Sequence, residues 1–136
     1  MERLVDLIPH RPPWLLVDRV RSREGGVVEA EKQLAAGDPL LAGDELPELL
    51  VLEALAQTAA CHNAGQLGAH RGLLVAATGV AFDGRARAGD VVRLRAEKTA
   101  VMGALVRFAV EARVGDRLIA RGQMTFAVTV AAEGSP

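Results

Sequence analysis

The sequence of 136 residues has little of what marks several classes of protein. Its single cysteine, Cys61, cannot form a disulfide within the chain and is typical of a reducing compartment. Aromatic residues make up 3% of the chain, too few to stack nucleic-acid bases along a groove. The formal net charge of -1 provides no attraction for nucleic acid or for an anionic membrane. We therefore expect a cytoplasmic protein with neither partner.

The sequence also lacks the spacings of a metal site and the long apolar run of a membrane segment. The three histidines, His10, His62 and His70, lie far apart and match no zinc pattern. We expect no metal and no cofactor. The longest apolar run is interrupted by polar residues and cannot span a bilayer, and the charged first residues do not form a signal peptide.

Alternation of apolar and polar residues predicts most of the chain as antiparallel strands. A hairpin with its turn at Glu24-Gly25-Gly26 is expected first, followed by four strands joined by short turns. The predicted strands cover residues 14–20, 27–35, 73–82, 91–99, 105–114 and 118–130. We expect one domain over residues 1–131 and a disordered tail over residues 132–136.

A single long helix, over about residues 47–66, is predicted between the hairpin and the later strands. The run from Leu49 to Ala60 is rich in Leu and Ala, and its apolar residues lie all round the helix, as in a buried helix. A sheet with one apolar face needs a cover, so the strands should wrap around this helix. The predicted fold is therefore α+β, a hot-dog with a six-stranded antiparallel sheet around one central helix. Its uncovered edges predict a dimer.

Glu53 is the only charge in that apolar run, so we expect it to be buried and to have a partner or a catalytic role. Gln57 follows four residues later on the same helix face and is expected to hydrogen-bond to it. The alternative is a purely structural ion pair between Glu53 and an arginine such as Arg11 or Arg19.

Three segments resemble the bacterial 3-hydroxyacyl-ACP dehydratases of fatty acid synthesis. These segments are IPHRPPWLLVDRV (residues 8–20), PELLVLEALAQTA (residues 47–59) and FDGRARAGD (residues 82–90). The resemblance covers nearly the whole chain in the family's order. It implies a homodimer that acts on acyl thioesters of acyl carrier protein, or of coenzyme A, bound in tunnels at the dimer interface.

The resemblance places the family's catalytic carboxylate at Glu53 but does not place its catalytic histidine. That histidine belongs to a Gly-His-Phe-Pro-Gly loop before the helix, where this chain reads LLAGDELPEL and has Asp44 in the histidine's position after Gly43. A similar degenerate loop occurs in the dehydratase-like proteins of aryl polyene pathways, which this sequence resembles more closely.

Several groups are candidates for the partner of Glu53. One candidate is His10, in the proline-rich opening, for which the alternative is a structural role in bracing that turn. Another is Asp44, for which the alternative is capping of the helix N-terminus. His62 follows Glu53 by nine residues, about 180° around the helix, and cannot share its face. His70 is expected in a solvated loop, and Cys61 in the core.

Three functions remain open at this point: a dehydratase using Glu53 as acid and base, a thioesterase of the same fold, and a catalytically silent acyl-binding subunit. The catalytic candidates are Glu53, His10 and Asp44. The residues expected to line the substrate site are Gly43, Leu46, Pro47, Gln57, Ala77 and Gly79.

Overall fold

The computed structural model describes residues 15–62 and 70–130. Its elements are β1 (Arg19–Glu24), β2 (Val27–Gln33), α1 (Glu48–Ala60), β3 (His70–Phe82), β4 (Val91–Met102), β5 (Leu105–Val114) and β6 (Arg117–Val130). The strands form one six-stranded antiparallel sheet in the order β1-β2-β4-β5-β6-β3. This is the predicted α+β hot-dog architecture. Among the described residues, β3 pairs only with β6 and therefore lies at an edge of the sheet.

The N-terminal hairpin is confirmed, but its first strand was predicted too early. The segment from Leu15 to Asp18 is outside the ladder, and β1 begins only at Arg19. The side chain of Asp18 accepts a hydrogen bond from the backbone N–H of Gln33 over 2.6 Å. The backbone N–H of Asp18 still donates to the carbonyl of Glu31 over 2.9 Å, but the Gln33 donor is taken by a side chain, so regular pairing begins at Arg19.

The later strands follow the predicted alternation. β5 has the predicted limits, whereas β3 begins earlier, at His70, β4 ends later, at Met102, and β6 begins at Arg117, directly before its predicted start. His70, expected in a loop, is instead the first residue of β3 and pairs opposite Val130, so that prediction was wrong. Local residue preferences favour a loop at this position, but hydrogen bonding to β6 extends β3 toward its N-terminal end.

The helix is shorter than predicted at its C-terminal end. It starts at Glu48, directly after Pro47. The carboxylate of Glu48 in the first turn interacts favourably with the positive end of the helix dipole. It ends at Ala60 because Cys61 and His62 bond back to nearby carbonyls in a tight turn, well before the predicted end near residue 66.

The sheet curves around α1, which packs chiefly against β4 and β5. Most of the alternating apolar residues of β4, β5 and β6 are buried, including Leu94, Phe108, Ala112 and Met124. Cys61 is buried against Val28, as expected for a core residue. Within the described ranges, no helix is both long enough and apolar enough to cross a bilayer.

Candidate active site

An apolar cavity of about 420 Å³ lies between α1 and the β3 edge of the sheet. One stripe of α1 forms its first wall, at the helical spacing of Leu49, Leu52, Glu53 and Ala56. Among the described residues that line it, Glu53 is the only one with a charge. The described lining residues are Leu49, Leu50, Leu52, Glu53, Ala56, Leu74, Ala77 and Met124.

Gln57 holds Glu53, as the four-residue spacing predicted. Nε2 of Gln57 donates to Oε2 of Glu53 over 3.2 Å, and the Gln57 side chain is buried. Oε1 of Gln57 accepts the backbone N–H of Leu16 over 2.8 Å. Since a backbone N–H can only donate, this second bond fixes which end of the amide faces Glu53. The sequence did not indicate that Leu16 takes part.

The expectation that Glu53 is buried was wrong for the single chain. Glu53 is exposed, and Leu49 on the same stripe is 74% exposed. The reason is that the sheet covers only one side of α1, which leaves this stripe open beside β3. The Arg19 side chain, proposed as an alternative partner, lies 3.0 Å from Glu31 instead. Arg11, the other proposed arginine, lies outside the described residues.

The loop before α1 is clamped to the segment that follows β3. The N–H of Leu46 bonds to Ala86, and the N–H of Ala88 bonds to Asp44, through backbone carbonyls 2.9 and 3.0 Å away. Arg87 adds ion pairs to Glu45 at 3.1 Å and to Asp44 at 3.8 Å. These side chains are largely exposed, so the backbone bonds contribute most of the rigidity. This contact was not predicted, and the complementary charges of residues 44–48 and 85–87 are the sequence feature that could have indicated it.

None of the candidates in that loop is among the described residues that line the cavity. Asp44 is exposed, contacts Arg87 and does not line the cavity, and α1 has no side-chain cap, so the capping role predicted for Asp44 was wrong. Leu46 is buried in the core rather than in the cavity wall. Gly43 has a φ of 62°, in a two-residue turn with Asp44, and Pro47 precedes α1.

The histidines do not complete a pair with Glu53 in the described part of the chain. The ring of His62 packs edge-on against Phe108 with centroids 5.3 Å apart, consistent with its expected position off the Glu53 face. His10 lies outside the described residues, so its candidacy stays a prediction. The side chain of His70 is likewise not described.

The strand β3 supplies the second wall of the cavity. Ala77 pairs opposite the buried Met124 and lines the cavity, whereas its neighbour Ala76 pairs opposite Thr125 on the outer face. Gly79, with a φ of 62°, lies where the pairing of β3 with β6 shifts register. Leu74 and Met124 also line the cavity, and the alternation of apolar and polar residues alone does not distinguish such lining residues from the core.

The amino-acid sequence matches those of known proteins over almost its whole length. A model of the ApeP-like family, described as ApeP dehydratase, matches residues 2–133. The chain belongs to this dehydratase family.

Curated relatives of this chain are named as 3-hydroxyacyl-[acyl-carrier-protein] dehydratases. The 3-hydroxyacyl-[acyl-carrier-protein] dehydratase FabZ of Natranaerobius thermophilus is 34% identical to this chain, with 94% of this chain and 96% of that protein covered. The FabZ of Chloroflexus aggregans is 36% identical, with 95% of each chain covered. The predicted resemblance to bacterial 3-hydroxyacyl-ACP dehydratases is confirmed.

Solved structures agree with the hot-dog fold. The dehydratase heterocomplex ApeI:P from Xenorhabdus doucetiae contains a chain that superposes with a TM-score of 0.83. The match covers 98% of this chain and 95% of that chain at 16% identity. The match to the ApeP-like family confirms the predicted resemblance to the dehydratase-like proteins of aryl polyene pathways.

Within this dehydratase family, the arrangement offers three chemical means. The Glu53 carboxylate can accept or donate a proton at the cavity wall. At the start of α1 the N–H of Leu50 bonds to the carbonyl of Pro47 over 2.9 Å, whereas the N–H groups of Glu48 and Leu49 precede the first helical hydrogen bond and can polarise a carbonyl oxygen. The apolar walls can accept an acyl chain and exclude water from it.

Proposed function

We propose that this protein dehydrates 3-hydroxyacyl thioesters of acyl carrier protein, with Glu53 as the acid and base. The observation that supports this most is the position of Glu53, the charged group in an apolar cavity, in a hydrogen-bonded contact with Gln57. The curated relatives of this protein are named for dehydration of 3-hydroxyacyl groups on acyl carrier protein.

The proposed reaction converts the 3-hydroxyacyl thioester to a 2-enoyl thioester and water. A base removes the proton from C2, and the electrons of that C–H bond form the double bond between C2 and C3. The C3–O bond breaks, and the leaving hydroxide takes a proton from an acid. Glu53 accepts the first proton and returns it to the leaving group, while the N-terminal amides of α1 stabilise the thioester oxygen.

We propose that the working form is a homodimer joined along β3. Leu73 is 69% exposed and Val75 51% exposed on this edge strand, and an apolar edge of this kind invites pairing with a second chain. The cavity opens beside the same strand, through Leu74 and Ala77. A second protomer would therefore cover Glu53 and close the site. A cytoplasmic location belongs to this proposal and rests on the single cysteine.

The second candidate function is a catalytically silent acyl-binding subunit. It is favoured by Asp44, which takes the place of the family's histidine and contacts Arg87 at the surface. The related ApeI:P structure is described as a heterocomplex, so the partner across β3 can also be a different dehydratase chain. In that case the partner supplies the catalytic histidine that this chain lacks in the loop before α1. This chain then contributes either Glu53 and the cavity or only the cavity.

One assay separates these functions. The protein is incubated with a 3-hydroxyacyl thioester of acyl carrier protein, and 2-enoyl absorbance and free thiol are followed together. Enoyl formation without thiol release supports the proposed dehydratase, whereas thiol release indicates a thioesterase. The silent-subunit reading requires neither signal from the purified protein, and a tight complex with the non-hydrolysable amide analogue of the substrate.

A further inference from the structure

A buried lysine, Lys32, lies outside the chemistry described so far. It is the last inward-facing residue of β2, in the alternation that also buries Val28 and Ala30, and it pairs opposite Val92. Its side chain is 10% exposed. An ammonium group on the core face of a sheet is costly unless opposite charges compensate it, so its contacts need a reason.

Two aspartates from separate segments compensate that charge. Nζ of Lys32 lies 3.6 Å from Oδ1 of Asp18 and 3.5 Å from Oδ2 of Asp38. The other oxygen of each carboxylate accepts a backbone N–H, from Gln33 at 2.6 Å and from Leu40 at 2.9 Å. Both carboxylates are thus fixed, and the lysine holds together β2 and the two segments that carry them.

Both of those segments lead directly to the candidate site. Asp18 follows Leu16 by two residues, and the Leu16 N–H is the donor that orients Gln57 toward Glu53. Asp38 lies in the loop that connects β2 to α1, the helix that carries Glu53. Without the lysine, two carboxylates would face each other across a cavity of about 260 Å³ and repel.

We propose that Lys32 is a positioning residue for the Glu53–Gln57 pair. Its charge keeps the segment from Leu15 to Asp18 seated on β2, so that the Leu16 N–H reaches Gln57 and the amide presents its N–H groups to Glu53. This role rests on the proposed dehydratase function for its effect on rate, but its effect on the Leu16 hydrogen bond is independent of any activity.

The test compares Lys32→Met with Lys98→Met in the full-length protein. Lys98, the other lysine of the chain, is exposed on β4 and serves as a matched control. Amide hydrogen exchange is followed by NMR at Leu16 and at Val110 in the central strand β5. We expect exchange at Leu16 to accelerate about tenfold more than at Val110 in Lys32→Met, because a local bond is lost. Lys98→Met should leave both unchanged.

Kinetics give a second measurement that a purely structural role would not move. Lys32→Met should lower kcat about tenfold with KM nearly unchanged, since the group displaced acts on the reaction and not on acyl binding. Lys32→Arg should recover most of that rate, because the neighbouring cavity has room for a guanidinium between the two carboxylates.

Two results would overturn the proposal. One is exchange at Leu16 that accelerates no more than at Val110, which would make Lys32 a general stabiliser. The other is unchanged exchange at Leu16. If Lys32→Met does not fold, Asp18→Asn carries the same exchange test, because it removes one carboxylate charge and retains an oxygen to accept from Gln33. An inactive wild-type protein would refute the dehydratase function and leave the exchange result decisive for Lys32.

Discussion

The backbone N–H of Leu16 donates to Oε1 of Gln57 over 2.8 Å, forty-one residues apart in the chain. This bond joins the segment before β1 to the middle of α1 at the point where Gln57 also contacts Glu53. The N-terminal segment therefore has a direct part in the geometry of the site. It orients the amide that orients the candidate catalytic carboxylate.

Replacement of Gln57 by leucine should destabilise the protein. Gln57→Leu leaves the buried N–H of Leu16 without its acceptor, at a cost of about 1–3 kcal/mol in the free energy of unfolding. Urea denaturation measures that change. Gln123→Leu is the matched control, because Gln123 is exposed on β6 and its replacement should change stability by less than about 0.5 kcal/mol. Equal stability of the two variants would refute the structural role of the bond.

A charge on the exposed edge strand should separate the proposed homodimer. Val75→Glu places a carboxylate on β3, where it costs little in the single chain but would be desolvated in an interface. We expect the dimer dissociation constant to rise about a hundredfold or more. Analytical ultracentrifugation measures it.

The control for the edge variant is Val101→Glu, on a valine that is 59% exposed on β4, a strand that β5 and β6 separate from β3. It should dimerise like the wild type. A wild-type protein that stays monomeric at micromolar concentration, or a Val75→Glu variant that still dimerises, would contradict the proposed interface.

The acyl chain should bind along the wall formed by Ala77. Ala77→Phe fills part of the cavity of about 420 Å³ and should exclude long chains before short ones. We expect kcat/KM to fall about tenfold or more for a dodecanoyl-length substrate and only slightly for a butanoyl-length one.

The neighbouring variant Ala76→Phe adds the same side chain to the outer face of β3, opposite Thr125. It should leave the preference between chain lengths unaltered. If both variants lose long substrates equally, or neither does, the acyl chain does not occupy this cavity.

The sheet could be predicted from the sequence because its strands have one polar, solvent-facing side and one apolar, buried side. β5 alternates Val106, Phe108, Val110 and Ala112 with polar residues at every intervening position except Ala109, and the structure has the predicted limits for this strand. The first strand lies later in the chain than predicted, and the Asp18 side chain, rather than a backbone carbonyl, accepts the Gln33 N–H just before it, which residue periodicity does not indicate.

Glu53 and Gln57 could be placed together from their spacing, which is fixed by helix geometry. The exposure of Glu53 could not be predicted, because it depends on how far the sheet wraps around α1. The Leu16 contact also could not be predicted, since it uses a backbone N–H that every residue except proline possesses. Long-range contacts of this kind are fixed by the assembled fold.

The most direct test of Glu53 as acid and base is the turnover number of Glu53→Gln against that of Glu48→Gln. Glu48 lies in the first turn of the same helix, contacts Arg85 at 3.5 Å and does not line the cavity, so its variant controls for a lost helix carboxylate. We predict that Glu53→Gln lowers kcat for enoyl formation by about 10²–10⁴-fold, as expected for a general acid–base group, while Glu48→Gln stays near wild type. A Glu53→Gln variant that turns over within about twofold of Glu48→Gln would contradict the account.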